Sequence, residues 1–193
     1  MRLARLIAPA ILLMAAPAFA ADTQGVSTYT IDATHSEAGF RVRHLVSKVS
    51  GRFTKLTGTI TVDEKDLSKS SVQVTIDAAS VNTDDAGRDK HLRSADFFDV
   101  EKYPTITFKS TAVKDLGNGR LEVTGDFTMH GVTKTISFPI TNFGAKAGMK
   151  PGTTVAGFGD GALTLNRQDY GVSYGKGLLG DEVQITLDVE ATK

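Results

Sequence analysis

A two-residue period constrains this chain more than any other feature. Near the C-terminus Val183, Ile185, Leu187 and Val189 are separated by Gln184, Thr186 and Asp188. Such a run buries one side only as a β-strand, because a helix would scatter the same side chains around its axis. Val72, Val74 and Ile76 alternate with Ser71, Gln73 and Thr75, and Leu56, Ile60 and Val62 oppose Thr57, Thr59 and Thr61. Phe40 and Val42 sit between Gly39, Arg41 and Arg43, after a short strand at residues 28–31. Ile106, Phe108 and Ala112 lead into Gly117-Asn118-Gly119, and Leu121, Val123 and Phe127 follow it, which predicts a hairpin. His130-Gly131 predicts a second tight turn before Ile136, Phe138 and Ile140, where Pro139 marks an edge or bulge. With residues 155–165, about nine strands are expected, each with one apolar face. A barrel is favoured over a sandwich: Gly51, Gly58 and Gly125 allow long strands to bend, and closure removes exposed edges.

Alternation stops between residues 82 and 110, where eleven residues bearing charge or imidazole crowd between Asp84 and Lys102. Helical spacing offers a local reason. Thr83 or Asp84 is positioned to cap a short helix with Asp85 in its first turn and Arg88, Leu92 and Ala95 on one face. Asp89 precedes Arg93 by four residues, the favourable order for an exposed pair. Tyr103-Pro104 returns the chain to an extended path.

The first twenty residues read as an export leader: Arg2 and Arg5, an apolar run over 6–16 too short to span a bilayer, and Ala18-Phe19-Ala20 as cleavage site. The two arginines are not adjacent, so a Sec-type signal and a periplasmic location are expected, and the absence of cysteine excludes lipid attachment through one. Cleavage after Ala20 leaves 173 of the 193 residues, enough for a single domain over 21–193. Without Arg2 and Arg5 there are 20 basic against 22 acidic residues, and no long basic run remains. Nucleic acid and anionic membrane surfaces are therefore poor candidate partners, and no stable membrane insertion is expected.

Closed strands point their apolar faces inward, and a barrel of about eight strands either fills that space or holds one ligand. With no tryptophan and mostly Val, Ile, Leu and Gly on those faces, both a filled core and an open lumen fit. Polar candidates are few. Asp32, His35 and Ser36 lack the surroundings of a nucleophile elbow, and His35, His44, His91 and His130 match no metal-ligand spacing. No catalytic residue, metal or cofactor is assigned. Arg88, Asp89, His91, Arg93, Arg167 and Asp169, with His35 and His44, read as an ion-pair network pinning the helix across one barrel end, or as a polar entrance for a head group.

Five ordered stretches, IDATHSEAGFRVRHL, VSGRF, RDKHLRSADFFDVEKYPTITFKS, GDFTMHGVTKTI and LNRQDYGVSYG, resemble the YceI family of bacterial polyisoprenoid-binding proteins across nearly all of residues 21–193. Phe127 and Tyr170 stand where the family often has Leu and Phe. The resemblance implies an all-β fold, an extended antiparallel lipocalin-like barrel with one short helix and a deep apolar pore. It implies a non-catalytic binder or carrier of a long isoprenoid lipid, of quinone or prenyl phosphate type, and a homodimer. An envelope enzyme or stress protein acting on such a lipid is the alternative. The expected lining is Phe40, Val42, Ile60, Val74, Ile76, Ile106, Phe108, Val123, Phe127, Ile136 and Phe138.

Overall fold

The structure is a computed structural model and describes residues 25–193; the expected leader lies outside them. Its strands are β1 (Val26–Ile31), β2 (Glu37–His44), β3 (Ser47–Phe53), β4 (Leu56–Asp63), β5 (Ser71–Asp77), β6 (Val81–Asn82), β7 (Thr105–Gly117), β8 (Arg120–Met129), β9 (Val132–Ala147), β10 (Thr154–Asn166) and β11 (Leu179–Thr192), with one helix, α1 (Ala86–Arg93). All ladders are antiparallel. Eight strands close a ring in the order β1-β4-β5-β7-β8-β9-β10-β11, and β2, β3 and β6 continue the sheet from β11.

Eleven strands replace the expected nine because the wall read as one strand divides into β3 and β4, and the two-residue β6 is added. β1 and β2 share one edge of β11: Ile31 pairs with Ala191, and Glu37 pairs with Asp188. Between them Ser36 substitutes its side chain for a ladder, its hydroxyl donating to the Glu190 carbonyl (3.1 Å) and accepting from the Glu190 N–H (3.0 Å). β3 and β4 are likewise one wall broken at Thr54-Lys55, not at the glycines. Gly51 instead makes room for the Phe40 ring, which a Cβ there would strike.

The β7–β8 turn has Asn118 and Gly119 at φ 54° and 76°, and the β8–β9 turn has His130 and Gly131 at 51° and 76°, as tight hairpins require. Pro139 pairs with Glu122 of β8, whereas β9 meets β10 only from Thr141 onward, so its missing N–H falls where β9 has a single partner.

The helix starts one residue later than expected. Asp85 is the cap, its carboxylate accepting from the Arg88 N–H (2.8 Å), while Asp84 takes a left-handed φ of 60° and Ala95 lies beyond the helix end. Thr83, Asp84 and Asp85 are all competent cap residues. Thr83 is withdrawn because its N–H and hydroxyl both donate to the buried Asp89 carboxylate (2.8 and 2.6 Å). Arg93 donates to the Ala79 and Val81 carbonyls (2.7 and 2.8 Å). These bonds hold α1 over the edge of β6 that β3 leaves unpaired.

Candidate functional site: the barrel lumen

A cavity of about 510 Å3 runs through the barrel, within the range of about 300–1,000 Å3 usual for small-ligand sites. All eleven side chains expected on its wall line it: Phe40, Val42, Ile60, Val74, Ile76, Ile106, Phe108, Val123, Phe127, Ile136 and Phe138. Strand parity puts them there, since alternate residues of a barrel strand face inward. By the same rule β11 contributes Val183, Ile185, Leu187 and Val189, and β10 contributes Leu163 and Leu165. Their alternation is as clear as that of the other strands, although they are not among the expected lining residues. Phe97, Phe98 and Tyr174 also reach the lumen, from segments with no period to show where they point.

The two ends differ. Toward the β7–β8 turn, Tyr29, Ile31, Leu56, Val62 and Phe158 form one buried cluster and Val113, Leu121, Val123 and Phe138 another. Leu67, on the 3-10 turn Leu67–Lys69, packs against both and plugs this end. Toward the other end, called upper here, Phe40, Val42, Val49 and Phe53 line the cavity yet are only half-buried. The upper end is the less tightly closed of the two.

Of the expected polar residues, His44, Arg88, His91 and Arg167 line the cavity, whereas His35, Asp89, Arg93 and Asp169 do not. They form no single network. Asp89 turns back to Thr83 and Arg93 to the β6 segment, so the expected Asp89–Arg93 pair is replaced by bonds to the main chain and Thr83. Asp169 pairs with Lys134 (2.9 Å), and His91 Nε2 with Asp96 (2.8 Å). Arg167, 5% exposed, donates to the carbonyls of Val172, Tyr174 and Gly180 (2.7–2.9 Å) and to Asp181 (3.3 Å). Its guanidinium is spent on shaping the loop. Arg88 donates through Nε to the Thr83 hydroxyl (2.7 Å) and through Nη2 to the Thr83 carbonyl (2.8 Å), which leaves Nη1 without a partner among the described residues. Arg88 is the cation best placed to meet a head group.

Outside the lumen, Asp32, His35 and Glu190 offer three ligand atoms within 4.8 Å of one another. The Asp32 carboxylate accepts from the Thr34 N–H and hydroxyl (2.9 and 2.6 Å) and from His35 Nδ1 (2.9 Å). Those bonds, the Thr34 hydroxyl foremost, hold it well below the usual carboxylate range, and Asp32 in turn raises His35. The geometry clasps the β1–β2 kink against β11. The Ser36 hydroxyl is committed to the Glu190 main chain, and His35 Nδ1 to Asp32.

Residues 29–191 match the family model described as the YceI-like domain. The chain belongs to this family. A UPF0312 protein of Pseudomonas aeruginosa is 41% identical over 188 residues, covering 95% of this chain and 96% of its own length. A UPF0312 protein of Vibrio cholerae is 46% identical over 148 residues, 75% of this chain and 77% of the relative. Among solved structures, Burkholderia cenocepacia BcnA superposes with a TM-score of 0.72 at 27% identity, covering 83% of this chain and 99% of BcnA. A polyisoprenoid binding domain from Saccharophagus degradans, described as implicated in plant cell wall breakdown, shares the YceI-like fold. It superposes with a TM-score of 0.64 at 19% identity, over 84% of this chain and 97% of that domain.

Proposed function

We propose that this YceI-like protein is a periplasmic carrier that holds the tail of a long isoprenoid-type lipid in its lumen and does no chemistry on it. One observation carries this reading: a single apolar cavity of about 510 Å3 is lined from both ends of the barrel and is less tightly closed at its upper end. An empty apolar cavity forfeits packing, and a flexible hydrocarbon chain restores it. One isoprene unit buried at about 0.8 kcal/mol per methylene-sized group contributes roughly 3–4 kcal/mol before ordering losses. A few units outweigh any head-group contact, so the tail sets affinity. A quinone or prenyl phosphate head then lies near Arg88 and His91, at the end where the polar lining gathers. The polyisoprenoid-binding domain of like fold supports the same tail chemistry.

The experiment is mass spectrometry of the organic extract from protein purified without detergent. A polyprenyl lipid that disappears in Ile106→Asp/Phe108→Asp protein of unchanged circular dichroism is the expected result. An empty extract, together with no uptake of added polyprenyl phosphate or quinone, overturns the reading. So does retention of the lipid by the folded double variant.

A further inference from the structure

The upper rim carries a feature that neither folding nor a closed lumen requires. β2 and β3 are joined by the two-residue turn Leu45-Val46, with Leu45 at a left-handed φ of 50°. Turns of this kind favour Asn and Gly, and a bulky residue at positive φ is strained. Yet Leu45 and Val46 are 54% and 98% exposed, beside Leu178 at 59% and Tyr174 at 48%. The Leu45 N–H donates to the Leu178 carbonyl (3.0 Å), tying the two loops into one platform. Tyr174, Leu178 and the neighbouring His44 and Leu179 also line the cavity, so platform and lumen are one continuous apolar surface.

Within the two loops that form the platform the charge has one sign; the nearest acids are Asp181 and Glu182 on β11 and Asp96 beside His91, with Asp181 engaged by Arg167 and Gln168 and Asp96 by His91. Residues 43–48 and 174–180 contain Arg43, His44, Lys48 and Lys176 and no acid. Among the described residues the Arg43 and Lys48 side chains bond to the Leu45 carbonyl (3.1 Å) and the Gln184 amide oxygen (3.4 Å), and no ion pair there involves Arg43, Lys48 or Lys176. The balance of the whole chain gives no reason to expect an anionic partner; the local distribution does.

We propose that this rim docks on an anionic phospholipid surface, with Leu45, Val46 and Leu178 entering the headgroup boundary and Arg43, Lys48 and Lys176 meeting lipid phosphates. Apolar side chains ringed by bases bind such surfaces by burial and charge together. Docking places the mouth of the lumen against the bilayer, so an apolar tail passes between them without crossing water. The inference rests on the carrier reading for its purpose, while its test reads the surface alone.

The test is co-sedimentation of the purified protein with phosphatidylcholine vesicles, with and without about 30% phosphatidylglycerol. Binding is expected only with the anionic lipid, weakening as salt rises toward about 0.5 M. Leu45→Asn/Val46→Ser keeps a residue that tolerates the left-handed turn, and Lys48→Glu/Lys176→Glu reverses the charge. Each pair is expected to reduce vesicle binding about tenfold while the thermal midpoint and the lipid in the organic extract stay unchanged. Wild-type protein that ignores both vesicle types, or variants that sediment like the wild type, overturn the proposal. A dimer that Leu45→Asn/Val46→Ser converts to monomer, without vesicle binding by either, also overturns it and makes the rim a self-contact. Wild-type protein with a lipid-filled extract that binds no vesicles sinks docking alone; wild-type protein with an empty extract that still binds anionic vesicles sinks the carrier reading alone.

Discussion

At Arg167 one side chain organises a loop. Its guanidinium satisfies three carbonyls and Asp181 from a position 5% exposed, so Arg167→Met leaves buried acceptors without donors. A loss of about 2–4 kcal/mol in urea unfolding is expected, and a loss below 1 kcal/mol would show that water replaces the guanidinium freely. The clasp at His35 makes a different, pH-dependent prediction. His35 is raised above its ordinary 6.5 by Asp32, so its contribution is complete below 6.5 and fades as pH climbs through the folded value. Asp32 lies below its ordinary 3.8, so its contribution is present above 3.8 and fades as pH falls through the lower folded value. Both act near pH 5. The difference in thermal midpoint between wild type and His35→Gln should be largest at about pH 5 and shrink by about pH 8.5. A difference flat across that range would make the contact steric.

At the scale of elements, α1 shows how a short helix holds its place with Asp89 as its only buried residue. Asp89 takes both donors of Thr83, and Arg93 takes two carbonyls beside β6. Asp89→Ala should therefore cost about 1–3 kcal/mol and raise amide exchange in α1 and residues 94–104 while leaving β7 and β8 protected. Equal loosening of the barrel strands would place the helix inside the barrel's cooperative unit. This division also explains what could be read in advance. Strand parity placed all eleven expected lumen residues, because a period of two leaves a side chain only two directions. The helix cap slipped by one residue because three adjacent residues compete for it, and the choice depends on Asp89, five residues beyond Asp84. Phe97, Phe98 and Tyr174 carry no local signal; His91 and Phe97 meet Tyr174 at 5.0 and 5.3 Å only after the chain has closed. The polar residues were legible as candidates but neither as one cluster nor as partners, since pairing depends on carbonyls whose direction no sequence period encodes.

For the whole molecule the decisive contrast is between the plugged end of the lumen and the open one. Val62 reaches the cavity wall at the plugged end but is closed in by the buried cluster there, whereas Val42 and Val49 face each other across β2 and β3 at the open end. Enlarging a side chain in a packed core forces strain of about 1–3 kcal/mol, but beside open space it adds contacts. Val62→Phe should therefore lower stability by that amount, and Val42→Phe/Val49→Phe should unfold at or above the wild-type midpoint once lipid is removed. With lipid the order reverses. A ligand at a hundred times its Kd stabilises its host by about 2.7 kcal/mol, so wild type should gain several degrees on adding polyprenyl lipid while the filled double variant gains almost none. Thermal unfolding of the three proteins, with and without lipid, reads both halves of the argument. If Val42→Phe/Val49→Phe is as damaging as Val62→Phe, the upper half is a packed core and the tail has nowhere to lie. If it is tolerated and still responds to lipid, the tail occupies another part of the barrel.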